Sequence, residues 1–201
     1  MKKVRLLIIA GLCLWLMAMP TAVFAHDEGT VLRFGSFLAG FTHPVLGLDH
    51  LLAMLSVGIV SSQIGGRAIW VVPATFVGVM AIGGLLGLLD LGLTAVETGI
   101  AISVLLLGLA IAAGQRIPLV VALIAVALFA TFHGYAHGAE MPDIAKPVRY
   151  ALGFLLGTAV IHVAGVLLGD IPQHYKIGPT VLRLAGGGIA IVGILFLFGV
   201  L

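Results

Sequence analysis

Long apolar stretches separated by short polar connections make up most of this chain of 201 residues. A membrane-spanning helix needs about 20 mostly apolar residues, and five of the stretches have that length. They cover residues 68–89, 93–113, 117–138, 147–169 and 179–200. The pattern therefore predicts an all-α, polytopic membrane protein in which most of the chain crosses the bilayer.

A sixth apolar stretch, at residues 31–62, is too long for one simple span and has polar residues in its interior. Pro44 lacks a donor N–H and clashes with the preceding turn, and Gly40 and Gly47 weaken the helix on either side. We expect one discontinuous membrane element, because irregular backbone at this depth is tolerated only where it is buried in protein or lines a cavity. The predicted fold is a bundle of about six transmembrane helices, the first of them discontinuous.

The first 25 residues have the pattern of a secretory signal peptide. Three cations precede an apolar segment at residues 6–19, a proline follows, and Ala25 precedes the expected cleavage point. The alternative is an uncleaved first membrane helix. Cleavage would remove Cys13, the one cysteine of the chain, and would leave residues 26–201 as a single transmembrane domain. The mature N-terminus would then lie in the periplasm, and the protein would reside in the bacterial inner membrane.

Composition supports the membrane assignment. Hydrophobic residues make up 61% of the chain, charged residues make up 9%, and the mean hydropathy is +1.25, whereas soluble domains have about 25% charged residues. Such a chain cannot cover its own surface in water, so its solvent is the lipid bilayer. Without the three signal-peptide cations, seven basic residues remain against eight acidic ones, and this balance gives no indication of nucleic acid as a partner.

Loop cations and glycines predict the orientation and the packing. With the N-terminus outside, Arg67, Arg116 and Lys176 fall in cytoplasmic loops, as the positive-inside rule expects, whereas Lys146 and Arg149 fall outside. Small residues on one helix face let membrane helices approach closely, and such a face is formed by Gly153, Gly157, Gly165 and Gly169. The sequence leaves open whether the chain also forms a homo-oligomer.

Ionisable residues inside the predicted spans are the first candidates for function. Each is energetically expensive in the bilayer, so such residues are functional candidates by default. Five of the seven histidines lie within predicted spans. Together with the acidic residues, the set consists of His43, Asp49, His50, Glu97, His133, His137 and His162.

The first group of candidates is His43, Asp49 and His50 in the discontinuous element. On a regular helix the two histidines would lie about 10 Å apart along the axis, too far to share an ion readily. A break near Pro44 and Gly47 could bring them together or free backbone carbonyls as ligands. Asp49 could bind a metal directly, or it could accept a hydrogen bond from a ligating histidine and fix its tautomer. The alternative is a proline kink with hydrogen-bonded core histidines.

The second group is His133 and His137, which lie one turn apart on the same helix face. This spacing lets two imidazoles reach one ion. Glu140 continues the same stripe near the outer surface, and Gly134 and Gly138 allow a neighbouring helix to approach. A single His-x3-His pair is weak evidence, but it gains weight inside a membrane span and beside a second histidine group.

Three further candidates are isolated in the sequence. His162 lies in mid-span, where a metal ligand, a proton relay and a packed core histidine all fit the pattern. Glu97 lies near the outer end of its span and could be a relay or an interfacial carboxylate. His26 would become the mature N-terminus, where it could chelate a metal through its amine and imidazole or belong to a disordered polar terminus.

The available ligands restrict the metal. Imidazole and carboxylate groups without sulfur suit nickel, cobalt, zinc or copper(II). Permeation also requires binding weak enough for release, which histidines spread over several helices satisfy better than a closed structural site. No prosthetic group is expected, so the metal would be the transported ion.

Two motifs resemble those of the HupE/UreJ family. One runs from His43 to His50 with the pattern HPxxGxDH, and the other runs from Phe132 to Glu140 with the pattern FHGxAHGxE. The resemblance extends from the signal peptide to the C-terminus. It implies a permease for nickel, or sometimes cobalt, that accompanies the maturation of nickel-dependent hydrogenase or urease. Composition and spacing alone indicate only an intramembrane metal site.

The primary hypothesis is therefore a nickel or cobalt permease that is not an enzyme and that moves the ion from periplasm to cytoplasm. A second hypothesis is an intramembrane zinc-dependent hydrolase, in which His133, His137 and one further histidine would hold zinc beside an acidic base. No serine or other nucleophile lies near either group, which argues against it. A third is a sensor or accessory subunit that binds metal without transporting it.

Overall fold

The computed structural model describes residues 28–201, and over this range it contains helices and no strands. The predicted signal peptide and His26 lie outside the described residues. The helices are α1 (Glu28–Leu46), α2 (Leu48–Ile64), α3 (Ala68–Leu88), α4 (Val96–Ala113), α5 (Leu119–Ala139), α6 (Pro147–Gln173) and α7 (Gly178–Leu197). Helices α3 to α7 are each long and apolar enough to cross a membrane. The prediction of an all-α, multi-pass membrane protein is confirmed.

The discontinuity predicted for the first membrane element is present at Gly47. Helices α1 and α2 form a broken pair that bends by 80°, and Gly47 between them has an extended backbone. Its N–H still donates to the carbonyl of His43 at 3.3 Å, and its carbonyl accepts from the N–H of Leu51 at 2.8 Å. The break therefore leaves these backbone groups satisfied within the protein, as a lipid environment requires.

Helix α1 has a second irregularity, which the sequence analysis did not predict. Gly35 has a φ of 82° inside the helix, a conformation that glycine adopts at little steric cost because it has no Cβ. The predicted break is limited to the region of Pro44 and Gly47.

The broken pair follows α6 along its length. A Cβ added at Gly153 would collide with the α1 backbone at Phe37, and one added at Gly165 would collide with the α2 backbone at Leu55. All four glycines of the predicted α6 face meet the pair in this way. Because the contacts advance together along both chains, α1 and α2 run in the same direction as α6. The predicted glycine face lets two successive helices pack closely on one long helix.

A second glycine seam joins α3 to α5. A Cβ added at Gly134 would collide with the carbonyl of Met80, and one added at Gly138 would collide with the carbonyl of Gly84. These two α5 glycines directly follow His133 and His137 in the chain. The tight contact with α3 therefore fixes the rotation of α5 about its axis and, with it, the direction of both histidines.

Helices α4 and α7 form the third close pair, with Gly108 against Ala190 and Gly193 against Leu105. These contacts make the two helices antiparallel, whereas the contacts of α3 with α5 make those two parallel. Both relations fit helix directions that alternate along the chain when the broken pair counts as one crossing. The start of α1, the loops at residues 89–95 and 140–146, and the end of α7 share one side, which we call the Glu140 face. The loops at residues 65–67, 114–118 and 174–177 share the opposite side, which we call the Arg67 face.

The substitution Gly165→Ala tests the seam between the broken pair and α6. The added methyl group meets backbone of α2, and overpacking of this kind costs about 1–3 kcal/mol. We expect a lower melting temperature of the detergent-solubilised protein, measured by size-exclusion chromatography after heating.

The matched control is Gly78→Ala on α3, where nothing lies within 4 Å of the added Cβ. Because alanine is a better helix former than glycine by about 1 kcal/mol, this variant should be as stable as the parent or more stable. Equal melting temperatures for the two variants would contradict the close packing of α2 on α6.

Candidate metal site

Four histidines from three helices meet in the interior of the bundle. His43 comes from the end of α1, His50 from the first turn of α2, and His133 and His137 from α5. Their exposed fractions are 7%, 6%, 0% and 0%, respectively. The ring centroids are 4.8 Å apart for His43 and His137, 4.6 Å for His50 and His137, and 4.8 Å for His50 and His133. We refer to these residues as the four-histidine cluster.

The break at Gly47 brings the two histidines of the first group together. Seven residues of continuous helix would separate them by about 10 Å along the axis, whereas the ring centroids of His43 and His50 are 6.4 Å apart. His137 contacts both rings and so connects α1 to α2. The cluster therefore depends on the bent geometry and could not form on one straight span.

Asp49 holds the ring of His50. Its Oδ1 atom accepts the backbone N–H of His50 at 2.8 Å and lies 2.8 Å from Nδ1 of the same residue. An ionised carboxylate can only accept hydrogen bonds, so Nδ1 is the donor and, in the neutral ring, the lone pair is on Nε2. Of the two roles left open for Asp49, this contact is the one expected of an orienting partner.

Glu140 connects the cluster with the surface. It caps the C-terminus of α5, and its Oε2 atom lies 3.3 Å from Nε2 of His43. The side chain of Glu140 is 25% exposed, compared with 7% for His43. The carboxylate thus stands between the buried imidazoles and the loop at residues 140–146.

Several ring nitrogens of the cluster have no hydrogen-bond partner among the described residues. They are Nε2 of His50, Nδ1 of His133, and both nitrogens of His137. A buried polar group left unsatisfied costs about 1–3 kcal/mol, and the bilayer offers no water to compensate. The cluster therefore contains four buried imidazole nitrogens without a hydrogen-bond partner in the described part of the chain. Imidazole is a preferred ligand of nickel, copper and zinc ions.

The remaining candidates from the sequence stand apart from the cluster. His162 is buried, but the ring of Phe76 separates it from His133, at centroid distances of 5.1 Å and 5.6 Å, respectively. Glu97 is exposed in the first turn of α4, where it lines a groove with Phe196.

The spacing of the rings is compatible with a shared ion. With metal–nitrogen bonds of about 2.1 Å, two imidazoles in neighbouring positions on one ion have ring centroids about 4.5–5.2 Å apart. The separations of 4.6 Å and 4.8 Å fall within this range. Within residues 28–201, however, no group of three or more His, Cys, Asp or Glu side chains is already positioned to hold one ion.

Three neighbours of the cluster were not identified from the sequence. Phe154 stacks on His137 with a centroid distance of 5.1 Å, Tyr150 lies against the ring of His43, and the hydroxyl of Ser103 lies 3.0 Å from Nε2 of His133. Aromatic residues are common in membrane helices and give no distinct signal. Ser103 does give one, because it is a hydroxyl group in the aliphatic middle of α4.

Comparison with known proteins agrees with the two motifs. The model of the HupE / UreJ protein family matches residues 14–196. The chain belongs to the HupE/UreJ family. It is 44% identical to Protein HupE of Rhizobium leguminosarum bv. viciae over 183 residues, which cover 91% of this chain and 94% of that protein. No solved structure matches the chain. The predicted family resemblance is confirmed, and the four-histidine cluster unites the histidines of both family motifs.

The substitution Asp49→Asn tests the orienting role of the carboxylate. It retains the size of the side chain but removes the charge that stabilises the Nδ1–H tautomer of His50. Loss of such a partner typically lowers metal affinity by about 10- to 100-fold, and we expect this reduction for nickel in calorimetric titrations of the purified protein.

A matched control exists at the end of α6. Asp170 lies 3.5 Å from His174 in an exposed aspartate–histidine pair, so Asp170→Asn should leave the nickel affinity unchanged. Parental affinity in Asp49→Asn, or an equal loss in both variants, would contradict the role of Asp49.

Proposed function

We propose that this protein is a permease that moves nickel, or cobalt, from the periplasm to the cytoplasm through the four-histidine cluster. The HupE/UreJ family is associated with nickel and cobalt transport for hydrogenase and urease, and this association supports the choice of metal. The ion is cargo rather than a resident cofactor, and its delivery would supply the maturation of a nickel enzyme.

The observation that carries the proposal is the convergence of unpartnered imidazoles in the interior of a membrane bundle. Burying a polar nitrogen without a hydrogen bond is unfavourable. His162, outside the cluster, also leaves both ring nitrogens unpaired within residues 28–201, so the convergence of several such imidazoles matters more than any one of them. Here His50, His133 and His137 leave nitrogens unpaired within one group of touching rings. A divalent ion would satisfy these nitrogens together, and no other feature of the described residues supplies a partner for them.

The cluster also suits release of the ion. Small rotations of the rings would let His50, His133 and His137 share one ion without movement of the helices, because neighbouring centroids already have the required spacing. The described residues include no cysteine, so binding would use no thiolate, and the groups gathered in the cluster offer nitrogen and oxygen. Such a site strips part of the hydration shell yet leaves exchange possible, as permeation requires.

The distribution of charge supports a direction of transport. Carboxylates predominate on the Glu140 face, which carries Asp90, Glu97, Glu140 and Asp143 as well as the cations Arg33, Lys146 and Arg149. Cations predominate on the Arg67 face, which carries Arg67, Arg116, Lys176 and Arg183 beside Asp170. The positive-inside tendency then orients the Arg67 face toward the cytoplasm. Acidic groups at the Glu140 face would attract a divalent cation from the periplasm.

Glu140 is the proposed link between the entrance and the cluster, since its carboxylate contacts His43. In the same orientation, cleavage of the predicted signal peptide of residues 1–25 would place His26 on the periplasmic side of an inner-membrane protein. His26 and Glu97 would then provide weak ligands near the entrance, ahead of the buried site.

Uptake of radiolabelled nickel into proteoliposomes tests the proposal. The parent protein should accumulate nickel, and His50→Gln and His133→Gln should each lower the initial rate by at least about tenfold, because each removes one of the shared ligands. Cobalt should compete with nickel in the same assay.

The control for the uptake assay is His174→Gln, which alters a histidine whose side chain is 64% exposed, beyond the end of α6. It should transport at the parental rate. Transport at the parental rate by His50→Gln and His133→Gln would refute the proposal. Saturable nickel binding without flux would indicate a sensor or accessory protein instead.

A further inference from the structure

Ser103 is a buried polar residue that the proposed function does not use. It lies in the middle of α4 with an exposed fraction of 0%. Its Oγ atom is 2.6 Å from the carbonyl oxygen of Ile100, one turn earlier in the helix, and 3.0 Å from Nε2 of His133. The hydroxyl thus lies between its own helix backbone and the four-histidine cluster.

A count of protons assigns the direction of both hydrogen bonds. A serine hydroxyl has one proton to donate, and a carbonyl oxygen can only accept. The Ser103 hydroxyl therefore donates its proton to the hydrogen bond with the carbonyl oxygen of Ile100. In the contact with His133, the Ser103 oxygen can then act only as an acceptor, so Nε2 of His133 must be the donor.

We propose that Ser103 is a positioning residue that holds His133 in its Nε2–H tautomer and so presents Nδ1 as the nitrogen that binds the metal. Nδ1 of His133 is buried and has no hydrogen-bond partner among the described residues, which agrees with its use as a ligand. The metal-binding part of this inference rests on the proposed function. The tautomer itself follows from the contacts of Ser103 alone.

The arrangement around His50 is complementary. Asp49 accepts the hydrogen bond of Nδ1–H there, and Nε2 has no partner among the described residues. Ser103 accepts the hydrogen bond of Nε2–H in His133, and Nδ1 has no partner within residues 28–201. The two rings are 4.8 Å apart and nearly perpendicular. The nitrogen left free to bind a metal is therefore Nε2 in His50 and Nδ1 in His133. In each ring, the hydrogen-bond acceptor at the other nitrogen makes this selection.

The chemistry of the two acceptors differs in a way that bears on transport. The charged Asp49 strengthens the basicity of His50 as a ligand. The neutral hydroxyl of Ser103 selects a tautomer without adding a negative charge to the site, so it orients His133 without tightening the hold on the ion to the same extent. A site that must release its cargo benefits from this combination.

Nitrogen NMR of the metal-free, histidine-labelled protein tests the tautomer directly. The signals of His133 are assigned by their loss in His133→Gln, and the two ring nitrogens of a neutral imidazole are distinguished by their chemical shifts. The parent protein should show Nε2–H for His133. Ser103→Thr, which keeps the hydroxyl, should retain this tautomer, whereas Ser103→Ala should shift His133 toward Nδ1–H or a mixture.

Nickel titrations of the same variants complete the test. Ser103→Ala should lose about 10- to 100-fold in affinity, and Ser103→Thr should stay close to the parent. Nδ1–H in the parent protein, or an unchanged tautomer in Ser103→Ala, overturns the inference. If Ser103→Ala does not fold, the tautomer of the parent protein still decides. Because the NMR measurement contains no metal, a failure of nickel transport would refute the permease and leave the tautomer assignment standing.

Discussion

A bilayer supplies no water to polar groups, and this constraint accounts for most features of the molecule. At the break between α1 and α2, the N–H and the carbonyl of Gly47 keep their partners within the chain. Asp49 and Glu140 each meet a histidine. Ser56, Tyr150 and His162 also have buried side-chain atoms without a partner among the described residues, but the unpaired imidazole nitrogens of His50, His133 and His137 are the ones that belong to rings in mutual contact. They are gathered in one place, and a cation that enters from water is the partner that would complete them.

The close helix contacts at glycine residues position the helices that carry these histidines. One seam fixes α1 and α2 on α6, and another fixes α5 on α3 with glycines that directly follow His133 and His137. The two histidine-bearing elements are therefore held by backbone contacts that leave little freedom for sliding or rotation. Because of these close contacts, we expect the imidazole rings to adjust more than the helices when an ion binds or leaves.

Much of this architecture could be predicted from the sequence, for identifiable reasons. Spans of about 20 apolar residues identify helices α3 to α7, and the glycines around Pro44 indicate a break whose position at Gly47 agrees with the structure. The position of His162 behind Phe76 could not be predicted, because helix rotation depends on contacts between distant segments. Ser103 is recognisable in the sequence as a hydroxyl group in an apolar span, but its contact with His133 is not. A membrane serine can satisfy its hydroxyl on its own backbone, and only the approach of α5 adds His133 as a second partner.

X-ray absorption spectroscopy at the nickel edge of the loaded protein can identify the ligands of one ion bound to the unpaired imidazoles of the cluster. We expect a first shell of nitrogen and oxygen without sulfur, with the outer-shell scattering of about three imidazoles. His50→Gln and His133→Gln should each remove one imidazole from that pattern. A shell of oxygen atoms alone, or imidazole scattering that is unchanged in both variants, would show that the ion does not bind at the four-histidine cluster.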